Sequence, residues 1–201
     1  MGILQRLFGG VPRRAALALA VFAVLLLVTP WIRPEAVPLM VLIFYFAYVG
    51  QAWNIMMGFA GQLSLGHSLY IGLGAYAAAA LYMKADIGPW AGIFAAIAVA
   101  TAVGGIVGYL GFRFAITGVY FALLTIAFAE FFRILFDHID WLGASAGFYL
   151  KVENRQENDL LNLRGSPTMF YYVMLSLVVL AFGLCRWLLT GRLGHYWLAI
   201  R

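Results

Sequence analysis

The sequence predicts an all-α, polytopic membrane protein with about six transmembrane helices, and three observations support this. Of its 201 residues, 65% are hydrophobic and 10% are charged, whereas about 25% of the residues in soluble domains are charged. Its mean hydropathy is +0.93. The apolar residues also form segments long enough to cross a hydrocarbon core of about 30 Å as helices. A chain with so few charges cannot cover a folded surface with polar groups, so it belongs in a bilayer.

Each apolar segment is defined by its length and by the residues that end it. The six segments are residues 15–32, 36–57, 65–83, 91–112, 118–136 and 168–189. Charge or proline interrupts the apolar sequence at residues 33–35, at residues 84–89 and at Arg113, because neither continues an apolar helix easily. The long connection at residues 137–167 holds most of the acidic residues. We therefore predict six membrane-spanning helices and one long polar loop.

Arginines flank both ends of the apolar region and predict its orientation. They are Arg6, Arg13 and Arg14 before the first segment, and Arg186, Arg192 and Arg201 at or after the end of the sixth. Six crossings place both ends on one side of the membrane, and the positive-inside rule makes that side cytoplasmic. Residues 1–14 are then a cytoplasmic segment, residues 15–201 a transmembrane domain, and residues 137–167 a periplasmic loop.

Charge, cysteine content and motifs argue against several other classes. The formal net charge of +5 does not indicate nucleic-acid binding, because the basic residues form no cluster beyond residues 13–14. The single cysteine, Cys185, cannot form an intrachain disulfide or a cysteine metal site. Neither Ser64 nor Ser68 completes a nucleophile elbow, and no phosphate-binding loop is present. We expect no catalytic residue, metal or cofactor in this chain.

Residues 54–76, NIMMGFAGQLSLGHSLYIGLGAY, place polar and glycine residues where an apolar span is expected. The polar members are Asn54, Gln62, Ser64, His67 and Ser68, and the glycines considered are Gly58, Gly61, Gly66, Gly72 and Gly74. In lipid an unpaired polar group costs about 1–3 kcal/mol, and irregular backbone is tolerated only where it is buried or lines a cavity. We predict a helix with a broken, polar inner end that faces the interior of a helix bundle. These residues would either line a translocation path or pack against neighbouring helices.

Two small-residue patterns predict close helix packing. One consists of Ala60, Ser64, Ser68 and Gly72, and the other of Gly104, Gly108 and Gly111. Residues four apart lie on one face of a helix, and small residues on that face let two helices approach closely. Packing alone explains the glycines, so the interpretation as a path depends on the polar residues.

Three ionisable residues within the predicted spans have roles that the sequence leaves open. His67 has no sequence neighbour suited to metal binding or acid–base chemistry, so a hydrogen-bonded packing histidine is favoured. Glu130 and Arg133 lie three residues apart on one helix face. They form either a local structural ion pair or part of a translocation path, and the sequence supports both interpretations.

Several blocks of sequence resemble, in the same order, the permease subunits of bacterial branched-chain amino-acid ABC importers. The blocks are AGQLSLGH at residues 60–67, GLGAY at 72–76, GVYFALLTIAFAEFFRIL at 118–135 and GRLGHYWLAIR at 191–201. The resemblance implies a subunit of the bacterial inner membrane, in contact with lipid. Its expected partners are a second related permease, two ATP-binding subunits that hydrolyse ATP, and a periplasmic substrate-binding protein.

The resemblance also implies roles for particular residues. Gln62, Ser64, His67 and Ser68 would line or brace the path, and residues 141–150 would lie near the binding protein. Residues 143–147, GASAG, stand where family members often have Gly-Gly. Leucine, isoleucine or valine would be the substrate, with urea, short amides or another small solute as alternatives.

Proteins of this kind continue through a cytoplasmic coupling helix and further spans. We therefore expect this chain to be an amino-terminal part of a longer subunit. A truncated membrane or assembly subunit that transports nothing stays an alternative, and an intramembrane enzyme using His67 and Ser68 or Glu130 is a less favoured one.

Overall fold

The computed structural model describes residues 13–85, 87–148, 163 and 165–200, and every regular element among them is helical. These residues contain α1 (Arg13–Ile32), α2 (Val37–Asn54), α3 (His67–Ala85), α4 (Pro89–Arg113), α5 (Val119–Asp137), α6 (Pro167–Thr190) and α7 (Arg192–Ile200). Short 3-10 turns lie at Pro34–Ala36, Asp140–Leu142 and Ala144–Ala146, and a π-helical segment lies at Ile55–Phe59. The predicted all-α fold is confirmed.

Four helical stretches of the described residues are long and apolar enough to cross a membrane. They are Pro34–Phe59, Pro89–Arg113, Val119–Asp137 and Pro167–Thr190, and Val21–Ile32 is a shorter apolar helix. The predicted third span, α3, has 19 residues but is less apolar than these four, because it carries His, Ser, Gly and Tyr residues. The polytopic membrane class is confirmed, whereas the number six stays a prediction.

One predicted helix face is wrong. Ala60 and Ser64 were expected to share a helix with Ser68 and Gly72, but residues 61–66 form no regular structure and α3 begins only at His67. Gly61 has a φ of 68°, a left-handed conformation that ends a right-handed helix and that glycine adopts without steric cost. The chain therefore breaks between the second and third predicted spans.

The chain divides into two compact units, and the first comprises Met1–Ala52 and Pro167–Tyr196. Its buried core is formed by Val37 and Phe44 of α2 and Tyr171 of α6, with half-buried apolar residues around them. The rings of Phe44 and Tyr171 meet edge to face, with centroids 5.2 Å apart. An aromatic pair in this geometry stabilises the contact by about 0.5–1.5 kcal/mol beyond area burial.

A proline in α1 explains why a tyrosine is buried in this core. Pro30 has no backbone N–H, so it cannot donate the helical hydrogen bond to the carbonyl of Leu26, four residues earlier. The Tyr171 hydroxyl, whose residue is completely buried, donates to that carbonyl at 2.6 Å. The neighbouring Tyr172 hydroxyl donates to the Leu27 carbonyl at 2.9 Å. Two tyrosines of α6 thus bind the α1 backbone where the proline weakens it.

We expect Tyr171→Phe to lower the free energy of unfolding by about 1–3 kcal/mol, because it leaves the Leu26 carbonyl buried without a donor. Denaturant titration of the protein in detergent measures this change. The same substitution in a Pro30→Ala background should cost less, since alanine supplies the missing N–H. Equal costs in both backgrounds would show that the hydroxyl does not compensate for the proline.

The second unit comprises Trp53–Ser166 and Trp197–Arg201, and within it α3 packs most extensively against α4. A Cβ added at Gly92 would lie 3.4 Å from Ala78, and one added at Gly74 would lie 3.5 Å from Ala96. These pairs run in opposite directions along the two helices, so α3 and α4 are antiparallel. Small residues on both faces allow this close approach.

The face of α3 that contacts α4 differs from the predicted one. It carries Tyr70, Gly74 and Ala78, and an added Cβ at Gly104 of α4 would lie 3.3 Å from the Tyr70 ring. A Cβ at Gly72 would meet no atom within 4 Å. Gly72 therefore does not act as a packing glycine among the described residues. Residues spaced by four occur on two faces of this helix, and only the face with Gly74 meets α4.

The glycines of α4 also differ from one another. Gly111 contacts α5, since an added Cβ would lie 2.6 Å from the Phe121 ring, whereas nothing lies within 4 Å of a Cβ at Gly108. The predicted packing role therefore holds for Gly104 and Gly111 but not for Gly108 within the described residues.

Candidate functional site

The break between α2 and α3 begins with a widened turn. After α2 ends at Asn54, residues Ile55–Phe59 are π-helical, and the Gln62 N–H donates to the Met56 carbonyl at 3.0 Å. π-helical turns are rare and occur frequently at functional sites. Gly58 lies against the Asn54 side-chain amide, which would have to move if residue 58 carried a Cβ. The polar Asn54 and Gln62 thus lie at the two ends of this turn.

Two hydrogen bonds fix the non-helical segment that follows, and a third fixes one of its partners. The Trp53 indole N–H donates to the Ser64 carbonyl at 2.7 Å. The Leu65 N–H donates to the Thr125 hydroxyl at 3.1 Å, and this hydroxyl donates to the Ala122 carbonyl at 2.8 Å. Buried Thr125 therefore connects the backbone of the segment to the backbone of α5. The irregular chain is held by specific donors and acceptors rather than left unpaired.

Gly66 lies directly against α5. An added Cβ there would collide with the Thr125 carbonyl oxygen and would lie 2.8 Å from its carbon. Because these are backbone atoms, they cannot rotate away as a flexible side chain can. Gly66 is thus a position where only the absence of a side chain permits the observed approach.

Two polar atoms beside this contact have no hydrogen-bond partner in the described structure: the Ser64 hydroxyl and the His67 Nδ1, both buried. Ser64 is completely buried. The His67 ring meets the Tyr70 ring edge to face, with centroids 5.8 Å apart. The expected packing role of His67 agrees with this ring contact, whereas the expected hydrogen bond is not found at Nδ1.

A cavity of about 230 Å³ lies between α3 and α5. Its lining includes Ser68, Gly72 and Tyr76 of α3 and Glu130, Phe132, Arg133, Phe136 and Asp137 of α5. Ser68, Gly72 and Tyr76 recur every four residues, so they form the face of α3 that does not meet α4. The two helices are parallel here, since Gly66 contacts Thr125 near their beginnings and the Tyr76 ring meets the Phe136 ring farther along, at 4.8 Å.

The charged wall of the cavity is a triad on α5. The Arg133 guanidinium donates to both Glu130 carboxylate oxygens, through Nε at 3.0 and 3.1 Å and through Nη2 at 2.6 Å. Its Nη1 donates to Asp137 Oδ2 at 2.9 Å. Glu130 and Arg133 thus form the local ion pair predicted from their spacing, and the same residues also line the cavity, so the two interpretations do not exclude each other.

The structure separates the predicted site residues into three groups. Ser68, Gly72, Glu130 and Arg133 line the cavity; Ser64, Gly66 and His67 lie at the contact with α5; Asn54, Gly58, Gly61 and Gln62 belong to the break. Gly74 belongs to none of them and packs against α4.

Sequence reasoning missed three residues of the site. Thr125 reads as an ordinary apolar-span residue, and Tyr76 carries no charge. Asp137 was assigned to the polar loop, although it is the last residue of α5. Its position four residues after Arg133, where charged side chains meet on a helix, could have identified it.

The loop after α5 contains a sequence that suggests an enzyme, but its structure does not. Residues 143–147 spell Gly-x-Ser-x-Gly, a motif that requires a strand before the serine and a helix after it. Here Ser145 is exposed within the 3-10 turn Ala144–Ala146, and the described residues include no strand. Among the described residues, no three His, Cys, Asp or Glu side chains are grouped so that they could hold a metal ion.

Long apolar helices, a broken and hydrogen-bonded helix start, and a cavity with a charged wall between two helices are typical of membrane transport proteins. The family described as "Branched-chain amino acid transport system / permease component" matches residues 35–201, and the chain belongs to this family.

A curated relative agrees with the family. The chain is 27% identical over 203 residues to the "High-affinity branched-chain amino acid transport system permease protein LivM" of Escherichia coli (strain K12). The match covers 89% of this chain and 47% of the relative, so the chain spans about half the length of that protein. The comparison with solved structures found no significant match.

Proposed function

We propose that this chain forms part of the translocation path of an ABC importer for branched-chain amino acids. The observation that carries the proposal is the α3–α5 cavity, with a charged triad on one wall and Ser68 on the other, in a chain of a transport-permease family. Charged side chains inside a membrane span usually face the bundle interior or a water-filled cavity and mark solute pathways. The relative's name supports the substrate class.

The break before α3 supports the same function. The Ser64 carbonyl is paired with Trp53 and the Leu65 N–H with Thr125, and irregular backbone is tolerated at membrane depth where it is buried in protein or lines a cavity. Transporters commonly build their solute sites from such discontinuous helices. In this proposal Gln62, Ser64, His67 and Ser68 line or brace the inner part of the path, and Gly66 braces it.

The rest of the assembly follows from the same proposal. The protein would lie in a bacterial inner membrane with both ends of the transmembrane domain in the cytoplasm and residues 137–167 in the periplasm. It would pair with a second permease, draw energy from two ATP-binding subunits and receive its substrate from a periplasmic binding protein.

Reconstitution tests the proposal. The protein, co-expressed with the proposed partner subunits and placed in vesicles, should accumulate radiolabelled L-leucine only when ATP and the binding protein are supplied. The ATP-binding subunits should also co-purify with it. Co-purification without any uptake would favour an assembly subunit, and uptake of urea with none of leucine would replace the substrate class.

A further inference from the structure

The charges on the cavity wall do not cancel. Two carboxylates, from Glu130 and Asp137, share one guanidinium from Arg133, so the triad has a net charge of −1. Both members of the tighter pair stay accessible, with 54% of the Glu130 side chain and 59% of the Arg133 side chain exposed. An uncompensated negative charge in a span calls for a cationic group or water beside it.

The hydrogen-bonding capacity of the triad indicates that the group bound beside it is a hydrogen-bond donor. Three of the five N–H groups of Arg133 face carboxylate oxygens, at Nε, Nη1 and Nη2. Each carboxylate has about four lone-pair positions, so about half of the acceptor positions on Glu130 and Asp137 are free of Arg133. The site therefore offers more acceptors than donors, and an ammonium group carries three donors.

The other walls of the cavity also suit an ammonium group on an apolar body. Tyr76, Phe132 and Phe136 line it, and the rings of Tyr76 and Phe136 lie 4.8 Å apart. Aromatic faces attract cations and also accept aliphatic groups. The volume of about 230 Å³ is below the roughly 300–1,000 Å³ of pockets for drug-sized ligands, so the cavity suits a small solute.

We propose that the α3–α5 cavity binds the α-ammonium group of an amino acid, with Glu130 and Asp137 as its acceptors. Arg133 is a positioning residue, because it holds the two carboxylates on one side of the cavity. That the ligand is an amino acid rests on the proposed function; that it binds through its ammonium group rests on the charge and geometry of the cavity. Ser68 and Tyr76 line the opposite wall.

A binding assay without ATP tests this site separately from transport. The protein in lipid nanodiscs is titrated with radiolabelled L-leucine, and we expect saturable binding. L-leucine methyl ester, which keeps the ammonium group, should compete, whereas N-acetyl-L-leucine, which lacks it, should not. These measurements use the unaltered protein, so no failure of a variant to fold affects them.

Variants then locate the acceptors. Glu130→Gln and Asp137→Asn should each weaken leucine binding about tenfold or more, since hydrogen bonds to charged groups are lost. Glu35→Gln is the matched control, because Glu35 is exposed on the Pro34–Ala36 turn and does not line the cavity. It should bind leucine as the parent does.

Three results would overturn the proposal: no saturable leucine binding, equal competition by N-acetyl-L-leucine, or unchanged affinity in both carboxylate variants. Leucine binding that depends on Glu130 and Asp137 in a protein that shows no ATP-driven uptake would instead support the site and contradict the proposed function.

Discussion

Gly66→Ala should destabilise the protein by about 3 kcal/mol or more, at or above the upper end of typical overpacking costs. The new methyl group would collide with the carbonyl of Thr125 on α5. The obstacle is backbone, so either α5 or the start of α3 must move. That movement would also break the hydrogen bond from the Leu65 N–H to the Thr125 hydroxyl.

The experiment compares thermal unfolding of purified variants in detergent and their yield in the membrane. Gly72→Ala is the matched control, because it makes the same chemical change six residues later, where an added Cβ meets no atom within 4 Å. Alanine favours a helix over glycine by about 1 kcal/mol, so Gly72→Ala should be neutral or stabilising. Equal stability of the two variants would refute the close approach of residue 66 to α5.

Thr125→Val separates the two parts of this contact. It keeps the shape of the side chain but removes the hydroxyl that accepts from Leu65 and donates to Ala122. We expect a loss of about 1–3 kcal/mol from the unpaired N–H, smaller than that of Gly66→Ala. A larger loss in Thr125→Val would make the hydrogen bond, not the close approach, the main contribution.

Gly72→Leu should reduce ATP-dependent leucine uptake to background while the protein still folds. The leucine side chain would extend into the cavity from the α3 wall and occupy the space opposite Glu130 and Arg133. Initial uptake rates in proteoliposomes, normalised to the amount of permease in the membrane, measure the effect. Gly72→Ala, with a smaller side chain, should retain part of the activity.

Gly105→Leu is the control for Gly72→Leu. Gly105 is an exposed helical glycine of α4 whose added Cβ also meets no atom within 4 Å, but it does not line the cavity. It should leave uptake near that of the parent protein. Normal uptake by Gly72→Leu at normal abundance would remove the cavity from the translocation path.

Much of the fold could be predicted from the sequence, because the signals are local. The apolar segments give the positions of α1, α2, α4, α5 and α6 to within a few residues. The spacing of Glu130 and Arg133 gives their ion pair, since residues three apart on a helix are neighbours. Gly61, beside a run of polar residues, gives the break before α3.

Which residues meet across helices could not be predicted in the same way. Small residues at every fourth position predict that a helix has a packing face, but α3 has two such rows. Only the position of α4 decides that Gly74 packs and that Gly72 lines a cavity. Thr125 is similar: its hydroxyl can serve its own helix, and only the approach of residues 65–66 makes it an acceptor for another segment.

By itself the sequence determined the membrane class, the order of the helices, the interrupted third segment and a resemblance that the family match supports. The tertiary structure alone decided which face of α3 packs against α4 and which lines the cavity. It also added Tyr76 and Asp137 to the site residues that the sequence had singled out. The physical reason is the separation along the chain over which each signal acts. Hydropathy and helix periodicity act between residues a few positions apart, whereas a cavity forms where two helices far apart in sequence leave space between their contacts.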